Sequence, residues 1–585
     1  MGRSLALSLP PHCRFVLTRF RRRQNSAVAR LHPACALAFG FLALGPFSAR
    51  ATVPGANDVL MRTLEFRQVA PDSPTDAFQA IRHLHANRLE WTYLEFDDRN
   101  RDCVERVQAM GVVFGGAAGA SMHGSIKNYP PQTPEMHMTD LNGAMVIQPH
   151  MRKWEDQRGI GDPSNTNYYA HHLGYWKKVI DWGADTIQRD EPESPVFAAE
   201  RYGGGFTPSG IAGFRTWLAT GTNFPSSEQA ELGITNLATF DYGEWLRAKQ
   251  APVGDAFAGF SDPLKERWIR YWTDTNTDFW NRLLAEVRAY ATNRPQITFA
   301  CNNTSLQMWE SYHRVFDYAI SELLIETAHP VHFWERTQIA RAAGKLQVFG
   351  APKTRGLTEI GDQDKALLLR RVFSTSYANG MLAKVPWDVF DQSPDGKSRY
   401  YVAAADLADL TAFVRGAGNW AGYAEAAAAG AGLPESAASG LRATGGNGGV
   451  YSFLRTNASG PALVHLVDWG LPTNTPSTTT NYFRSPSGEQ IRQYDRKEIT
   501  GRSPPAAFTL VLPRSLPGLS SANTFQLILP APYNEETHRQ ARESGNYASL
   551  VISTNLSPVV TNNEVRLAIP ALQPYGVVKI STSSP

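Results

Sequence analysis

Between residues 89 and 386 short apolar runs with the composition of buried strands alternate with longer runs whose apolar residues recur at helical spacing. A strand that passes through a helix before the next strand returns parallel to the first, so this alternation confines the region to a parallel α/β sheet. Strand-like runs fall at 89–96, 111–115, 144–148, 186–189, 296–300, 316–321, 346–349 and 381–386, and helical runs at 102–110, 168–182, 210–218, 268–290, 334–343 and 366–378. Eight strands are the number that closes a (β/α)8 barrel, and a doubly wound open sheet fits the same alternation. The expected fold class is α/β, a barrel over residues 52–423.

The pattern changes at 424–449, where Ala, Gly and Ser dominate; that composition suits a linker with a short helix. Beyond it, strand-like runs at 450–454, 462–467, 508–512, 525–529, 550–553, 565–569 and 576–580 are separated by Pro, Asn, Gly and Ser, which reads as an antiparallel β-sandwich over 450–585. This module is expected to form its own core and to support the barrel or bind glycan without supplying catalytic acids.

Residues 1–51 hold eight arginines and no acid, and end in an apolar run at 34–47 followed by Ala49-Arg50-Ala51. This is the pattern of a signal peptide, with cleavage expected after Ala51 and a secreted or periplasmic product. Without those arginines the formal charge of +3 becomes 3 − 8 = −5, so the basic balance belongs to the leader and nucleic acid is an unsuited partner. No later stretch is long and apolar enough for a membrane helix. Cys103 and Cys301 lack any paired spacing, which suggests neither a disulfide framework nor a zinc site.

In such a barrel the loops after the strands' C-terminal ends face substrate, so acids at strand tips are the candidates for chemistry. Asp190-Glu191-Pro192-Glu193 closes the fourth run, and Glu322 closes the sixth, with Glu326 four residues on. Two carboxylates across one mouth are what glycoside hydrolysis requires, one to protonate the leaving oxygen and one to attack or to activate water. The alternative for either acid is a helix-capping role, since Asp, Glu and an early Pro suit a first helical turn. Other strand ends carry groups suited to a sugar: Glu95, Asp97 and Asp98, then His123, His150, Asn302, Asn303, Trp387 and Asp388. Carboxylates and amides take hydroxyls, and aromatic faces cover C–H surfaces.

Competing chemistries leave weaker traces. His83-Leu84-His85 precedes the first run and reads as a surface or packing pair, and Gly115 to Gly119 read as a place for close approach of a neighbour, not as a phosphate cradle. No His-Glu-x-x-His, Gly-x-Ser-x-Gly or P-loop pattern occurs. No metal or organic cofactor is expected. A metal-dependent deacetylase would need His150 and other histidines to converge with Asp388, and a non-catalytic carbohydrate-binding protein could use the same scaffold.

With these acids placed, residues 89–420 resemble the TIM-barrel glycoside hydrolases, which are often exported and often carry a C-terminal β-sandwich. Asp190-Glu191-Pro192 is similar to the Asn-Glu-Pro signature of the large retaining clan, which implies Glu191 as proton donor. That clan keeps its nucleophile after strand seven, where Leu346-Gln347-Val348-Phe349-Gly350-Ala351-Pro352 contains no acid. Acids after strands four and six are more similar to the α-galactosidase and α-fucosidase type of barrel, which implies Asp190 as nucleophile and Glu322 as acid.

Overall fold

Eight parallel strands close on themselves: β1 (Leu60–Arg62), β2 (Arg88–Tyr93), β3 (Val113–Ala118), β4 (Thr186–Arg189), β5 (Thr298–Asn302), β6 (Tyr318–Leu323), β7 (Leu346–Pro352) and β8 (Leu382–Pro386). The computed structural model describes residues 53–582 except 63–76, 94–98, 119–132, 148–158, 221–222, 295, 303–313, 324–328, 353–361, 387–403, 418–419, 434–439, 459, 471–472, 475–480, 485–489, 494–497, 500–502, 517–518 and 520–522. Closure rests on β1, only three residues long, which pairs with β2 on one side (Leu60 opposite Arg88) and β8 on the other (Leu60 opposite Lys384). The closed sheet rules out the doubly wound alternative.

Two strand assignments differ from expectation, and they offset each other. β1 lies ahead of the first expected strand; three apolar or amphipathic residues are too short a run to stand out in sequence. The run at 144–148 is not a barrel strand; its residues make isolated antiparallel bridges, Thr139 to Met145 and Ile147 to Gly159. It belongs to an excursion between β3 and the helix that follows. From β4 onward the order matches.

Helices α1 (Ala77–His83), α2 (Arg99–Ala109), α3 (Thr166–Asp181), α4 (Ser194–Arg201), α5 (Pro208–Leu218), α6 (Ser226–Glu231), α7 (Tyr242–Ala248) and α8 (Lys265–Tyr290) follow in chain order, with further helices at Pro330–Ala342, Asp362–Ala378 and Ala404–Ala417. α3 starts where Asn165 accepts from the N–H groups of Asn167 and Tyr168, a cap worth about 1 kcal/mol. It buries Tyr168, His172, Tyr175, Trp176, Val179 and Ile180, one stripe at helical spacing, against the outer face of the barrel.

The excursion after β3 and the segment between α4 and α8 share a second core. Met138, Leu141, Val146 and Ile160 pack with Phe206, Phe214, Tyr242, Leu246, Trp268 and Trp272. Phe206 N donates to Thr139 O at 3.0 Å, and Arg247 Nη1 to Leu141 O at 2.6 Å, so the two segments are cross-tied. At their centre fully buried Asp162 accepts from Thr207 Oγ1 at 2.6 Å and Ser164 N at 2.8 Å, which keeps a charge-bearing group satisfied away from water. Both segments leave from the C-terminal side of the barrel, so this accessory subdomain stands beside the mouth.

Inside the barrel a polar network replaces part of the apolar filling. Glu90 accepts from Tyr318 Oη at 2.9 Å and Arg88 Nε at 3.1 Å through one oxygen, and from Thr186 Oγ1 at 3.0 Å through the other. Gly115 makes room for it. A Cβ there would lie 2.6 Å from Glu90 Oε2, 2.7 Å from Thr186 Oγ1 and 2.8 Å from Leu89 O.

The C-terminal strands are antiparallel: β9 (Ala424–Ala429), β10 (Arg442–Gly445), β11 (Val450–Thr456), β12 (Ala462–Asp468), β13 (Thr473–Asn474), β14 (Asn481–Arg484), β15 (Gln490–Gln493), β16 (Glu498–Ile499), β17 (Phe508–Pro513), β18 (Asn523–Pro530), β19 (Val551–Leu556), β20 (Val559–Val560), β21 (Glu564–Ile569) and β22 (Tyr575–Thr582). Sheets ordered β19-β18-β22-β12-β11-β9 and β10-β17-β21-β20 face each other across Leu454, Val464, Leu466, Leu510, Leu512, Leu567 and Val578. Among the described residues no barrel strand enters either sheet. The Ala/Gly/Ser-rich stretch supplies two of the strands, because small side chains suit an edge packed close to its neighbours: β9 pairs with β11 and carries Glu425, which bridges Arg341 at 2.8 Å. The other face of the larger sheet packs on the barrel's helices, with Phe453, Leu463, Val467 and Tyr575 joining Val372, Phe373 and Tyr377 in one core. Buried Arg455 crosses that joint, donating to Ala378 O at 2.9 Å.

A second tie runs from the barrel's underside to the helix Glu535–Ser544. There the buried His85 ring lies 2.8 Å from His538, nitrogen to nitrogen, and Arg415 donates to His85 O at 3.1 Å. His85 is therefore a packing residue, as its place ahead of the first expected strand suggested. Burial, then the neighbouring His538 and Arg542, pushes its pKa from 6.5 down to about 3.

Two outcomes follow from these contacts. Gly115→Ala should lower stability by about 1–3 kcal/mol, the usual cost of overpacking a filled interior, measurable by denaturant unfolding. The His85 shift also carries a sign: the folded protein resists protonation there while the unfolded chain accepts it near 6.5, so stability should fall as pH drops from about 6.5 toward about 3. His85→Asn, which tolerates the left-handed backbone at this position (φ 52°) and cannot titrate, should flatten that acid limb in melting temperature against pH.

Candidate active site

β4 alternates strictly. Thr186 points inward to Glu90, and Ile187 outward into the helix layer. Buried Arg189 points outward, its guanidinium 5.0 Å from the Trp280 ring of α8. Asp190, the next residue, is half-buried, and its Oδ1 accepts from Asn302 Nδ2 at 2.7 Å. Asn302 is the last residue of β5 and is itself buried. The tips of two adjacent strands are thus joined across the mouth by a carboxylate and an amide.

The next residues turn the chain into α4. Glu191, also half-buried, takes a left-handed backbone (φ 47°), a conformation that costs a non-glycine residue about 1–3 kcal/mol and that surrounding contacts must hold. Those contacts fall on two carbonyls. Ser194 N and Oγ donate to Glu191 O at 3.2 and 3.0 Å, and Asn276 Nδ2 and Trp280 Nε1 donate to Pro192 O at 2.8 and 3.2 Å.

Glu193 occupies the N-cap position of α4 but makes no capping hydrogen bond with its side chain. Its side chain therefore does not cap the helix. It is buried, 3% exposed, and its pKa is pushed well above the usual carboxylate range, first by burial and then by the negative charge of Glu191, with Asp190 adding to it and Arg189 opposing. The cluster thus disfavours a third charge at Glu193. Glu193 was part of the sequence cluster without being picked out as a site residue; the signal that separates it, complete burial, exists only in three dimensions.

Glu322 lies near the C-terminal end of β6, and the pairing of β6 with β7 shifts register between Ser321 and Leu323, placing Glu322 in a bulge. Bulges at barrel rims are where strands re-aim side chains. Its side chain, and all of Glu95, Asp97, His123, His150, Asn303, Trp387 and Asp388, lie outside the described residues. Of the residues expected at the site, the structure brings together Asp190, Glu191 and Asn302.

A feature with no sequence signal sits on the inward face of β1, β2 and β8. Trp91, fully buried, adopts a left-handed backbone (φ 62°) at a bulge in β2, and its ring is approached by Arg62 at 4.1 Å and Lys384 at 3.9 Å. Two cations thus flank one indole inside the barrel. Among the described residues no group of three or more His, Cys, Asp or Glu is placed to hold a metal ion, and no helix is long and apolar enough to cross a membrane. Cys103 and Cys301 are both buried, and no disulfide joins them.

This architecture has a counterpart among solved structures. A cycloisomaltooligosaccharide glucanotransferase of Paenibacillus sp. superposes with a TM-score of 0.52 at 9% identity, covering 90% of this chain and 85% of that one. The fold is a TIM barrel followed by a β-sandwich. By sequence the chain is 26% identical over 278 residues to an alpha-agarase of Thalassotalea agarivorans, covering 42% of this chain and 18% of that protein. It is 26% identical over 325 residues to an alpha-agarase of Alteromonas agarilytica, covering 48% and 21%. The chain thus spans about a fifth of the length of the curated relatives it matches. No family model matches.

Glu193 gives the site a pH signature. A carboxyl whose pKa is raised on folding stabilises the fold below its unfolded value of about 4.5 and loses that contribution as pH rises through the folded value. Glu193→Gln, neutral at every pH and of the same shape, should fold normally and gain stability relative to wild type increasingly from about pH 4.5 upward. Parallel stability-versus-pH curves for the two proteins would contradict a buried, protonated Glu193.

Proposed function

We propose that this chain is an exported glycoside hydrolase that cleaves glycosidic bonds of a polysaccharide with a pair of carboxylates, Asp190 or Glu191 on one side and Glu322 on the other. The observation that carries this reading is the 2.7 Å contact between Asp190 and Asn302, which fixes a half-buried carboxylate at the mouth of a closed barrel, at the strand-four tip. A carboxylate held there and aimed by a neutral donor suits attack on an anomeric carbon, and an acid at the strand-six tip suits protonation of the leaving oxygen. Asp190 is the preferred nucleophile, because Asn302 orients it, and Glu322 the preferred proton donor. Glu191 is the alternative donor on the same turn.

The similarity to two alpha-agarases supports an agar-type galactan as the substrate. The accessory subdomain beside β3 and β4, and the expected groups at Glu95, Asp97, His123, His150, Asn303, Trp387 and Asp388, would supply the walls for such a chain. A signal peptide ending near Ala51 would deliver the enzyme to a polymer too large to enter the cell. No metal or organic cofactor enters this reaction; acid, nucleophile and water suffice.

Purified protein beginning at residue 52 should release reducing ends from agarose in a panel of polysaccharides and aryl glycosides. Asp190→Asn and Glu322→Gln should each lower kcat by roughly 10³-fold or more with the fold intact, and activity should follow a bell-shaped pH profile. Near-wild-type turnover in Glu322→Gln would move the acid to Glu191 or Glu326. A protein that binds polysaccharide but cleaves none of the panel would favour the non-catalytic reading.

A further inference from the structure

α8 runs through two cores. Its first half buries Trp268, Tyr271 and Trp272 in the accessory subdomain, and its second half buries Phe279, Trp280, Leu283, Leu284 and Val287 against the barrel. Between them, on the same buried stripe, stands Asn276, 0% exposed. An amide in an apolar stripe is unfavourable unless bonded. Its Nδ2 donates to Pro192 O at 2.8 Å, and Trp280 Nε1, one helical turn on, donates to the same oxygen at 3.2 Å. The ring of Trp280 also faces the Arg189 guanidinium on the other side of the acid turn. One helix therefore grips the chain both before and after Asp190 and Glu191.

We propose that Asn276 and Trp280 are positioning residues for the reaction: by holding Pro192 O they keep Glu191 in its left-handed conformation and keep Asp190 against Asn302. This rests on the glycoside hydrolase reading of the same turn. Neither residue touches substrate; they act through the backbone between the two acids. The geometry follows from placement. A left-handed glutamate relaxes readily to the right-handed or extended region, and doing so would swing the Asp190 and Glu191 carboxylates relative to each other. Two N–H donors on the carbonyl immediately downstream oppose that rotation. Because α8 is also the spine of the accessory subdomain, the acids are set in register with the wall of the cleft.

Asn276→Leu, isosteric and apolar, and Trp280→Phe, which keeps most of the ring and drops the N–H, test this in the full-length mature protein. Two readouts are taken on each. Hydrogen exchange of the amides across residues 190–196 should accelerate by on the order of tenfold, as expected when a buried hydrogen bond restraining a turn is lost. On agarose, kcat should fall by on the order of tenfold while KM stays within about twofold, and the limbs of the pH profile should shift because the spacing of the acids has changed. Unchanged exchange in both variants would overturn the clamp, as would loss of activity through KM alone or only in step with a falling melting temperature. Trp280→Phe guards against an Asn276→Leu variant that does not fold. If the wild-type protein cleaves no glycan, the hydrolase reading fails by itself, and the exchange result still decides whether α8 holds the turn.

Discussion

The three residues of β1 are what the rest of the molecule depends on. Leu60 and Met61 pair with β2, and Leu60, Met61 and Arg62 pair with β8, so a short run of parallel hydrogen bonds converts an open sheet into a ring. Closure removes both sheet edges and forces every strand tip on one side toward a common axis. The end of β4, followed by Asp190, and the end of β6, which carries Glu322 in its backbone, then lie at one mouth for reasons of topology. The ring also imposes the interior. Its small diameter leaves room for only a few layers of side chains, which is why Gly115 must be bare for Glu90 to reach Thr186, Tyr318 and Arg88 at once.

Upon that frame the acid turn is set by contacts from outside the ring. Asn302 holds Asp190 from β5, while α8 holds Pro192 O and stacks against Arg189. Burial and the neighbouring charges of Glu191 and Asp190 disfavour the charged form of Glu193, which eases repulsion among three acids in four positions at one strand tip. Asp190 and Glu191 are the half-buried members of the cluster, and Glu193 is buried at the start of α4. The sandwich contributes rigidity from the opposite side, with Arg455, Glu425 and His538 each reaching barrel elements through buried or half-buried contacts.

The parts legible in sequence were those with a period. Strands β4 to β8 and the large helices α3 and α8 announce themselves because buried faces repeat at 2 or 3.6 residues, and Asp190, Glu191 and Glu322 were readable as acids closing such runs. β1 was not, since three residues establish no period. The run at 144–148 misled for the opposite reason: Val146 is buried, but in the accessory core and not in the barrel, and an apolar run does not say which core receives it. The Ala-rich β9 lacked the β-branched residues that mark strands, and its strand state comes from pairing with β11. Asn276 and the Trp91 cation pair are invisible to pattern because each depends on a partner tens to hundreds of residues away, and Glu193 because its burial exists only in the fold.

The central claim, that Asp190 and Glu322 flank a scissile glycosidic bond, is tested most directly by a crystal structure of the Glu322→Gln variant bound to an agarose oligosaccharide. The account predicts a sugar ring across the mouth with its anomeric carbon about 3–3.5 Å from an Asp190 oxygen and the glycosidic oxygen within hydrogen-bonding reach of residue 322. A saccharide bound elsewhere, or bound at the mouth with either side chain turned away from the glycosidic bond, would contradict it.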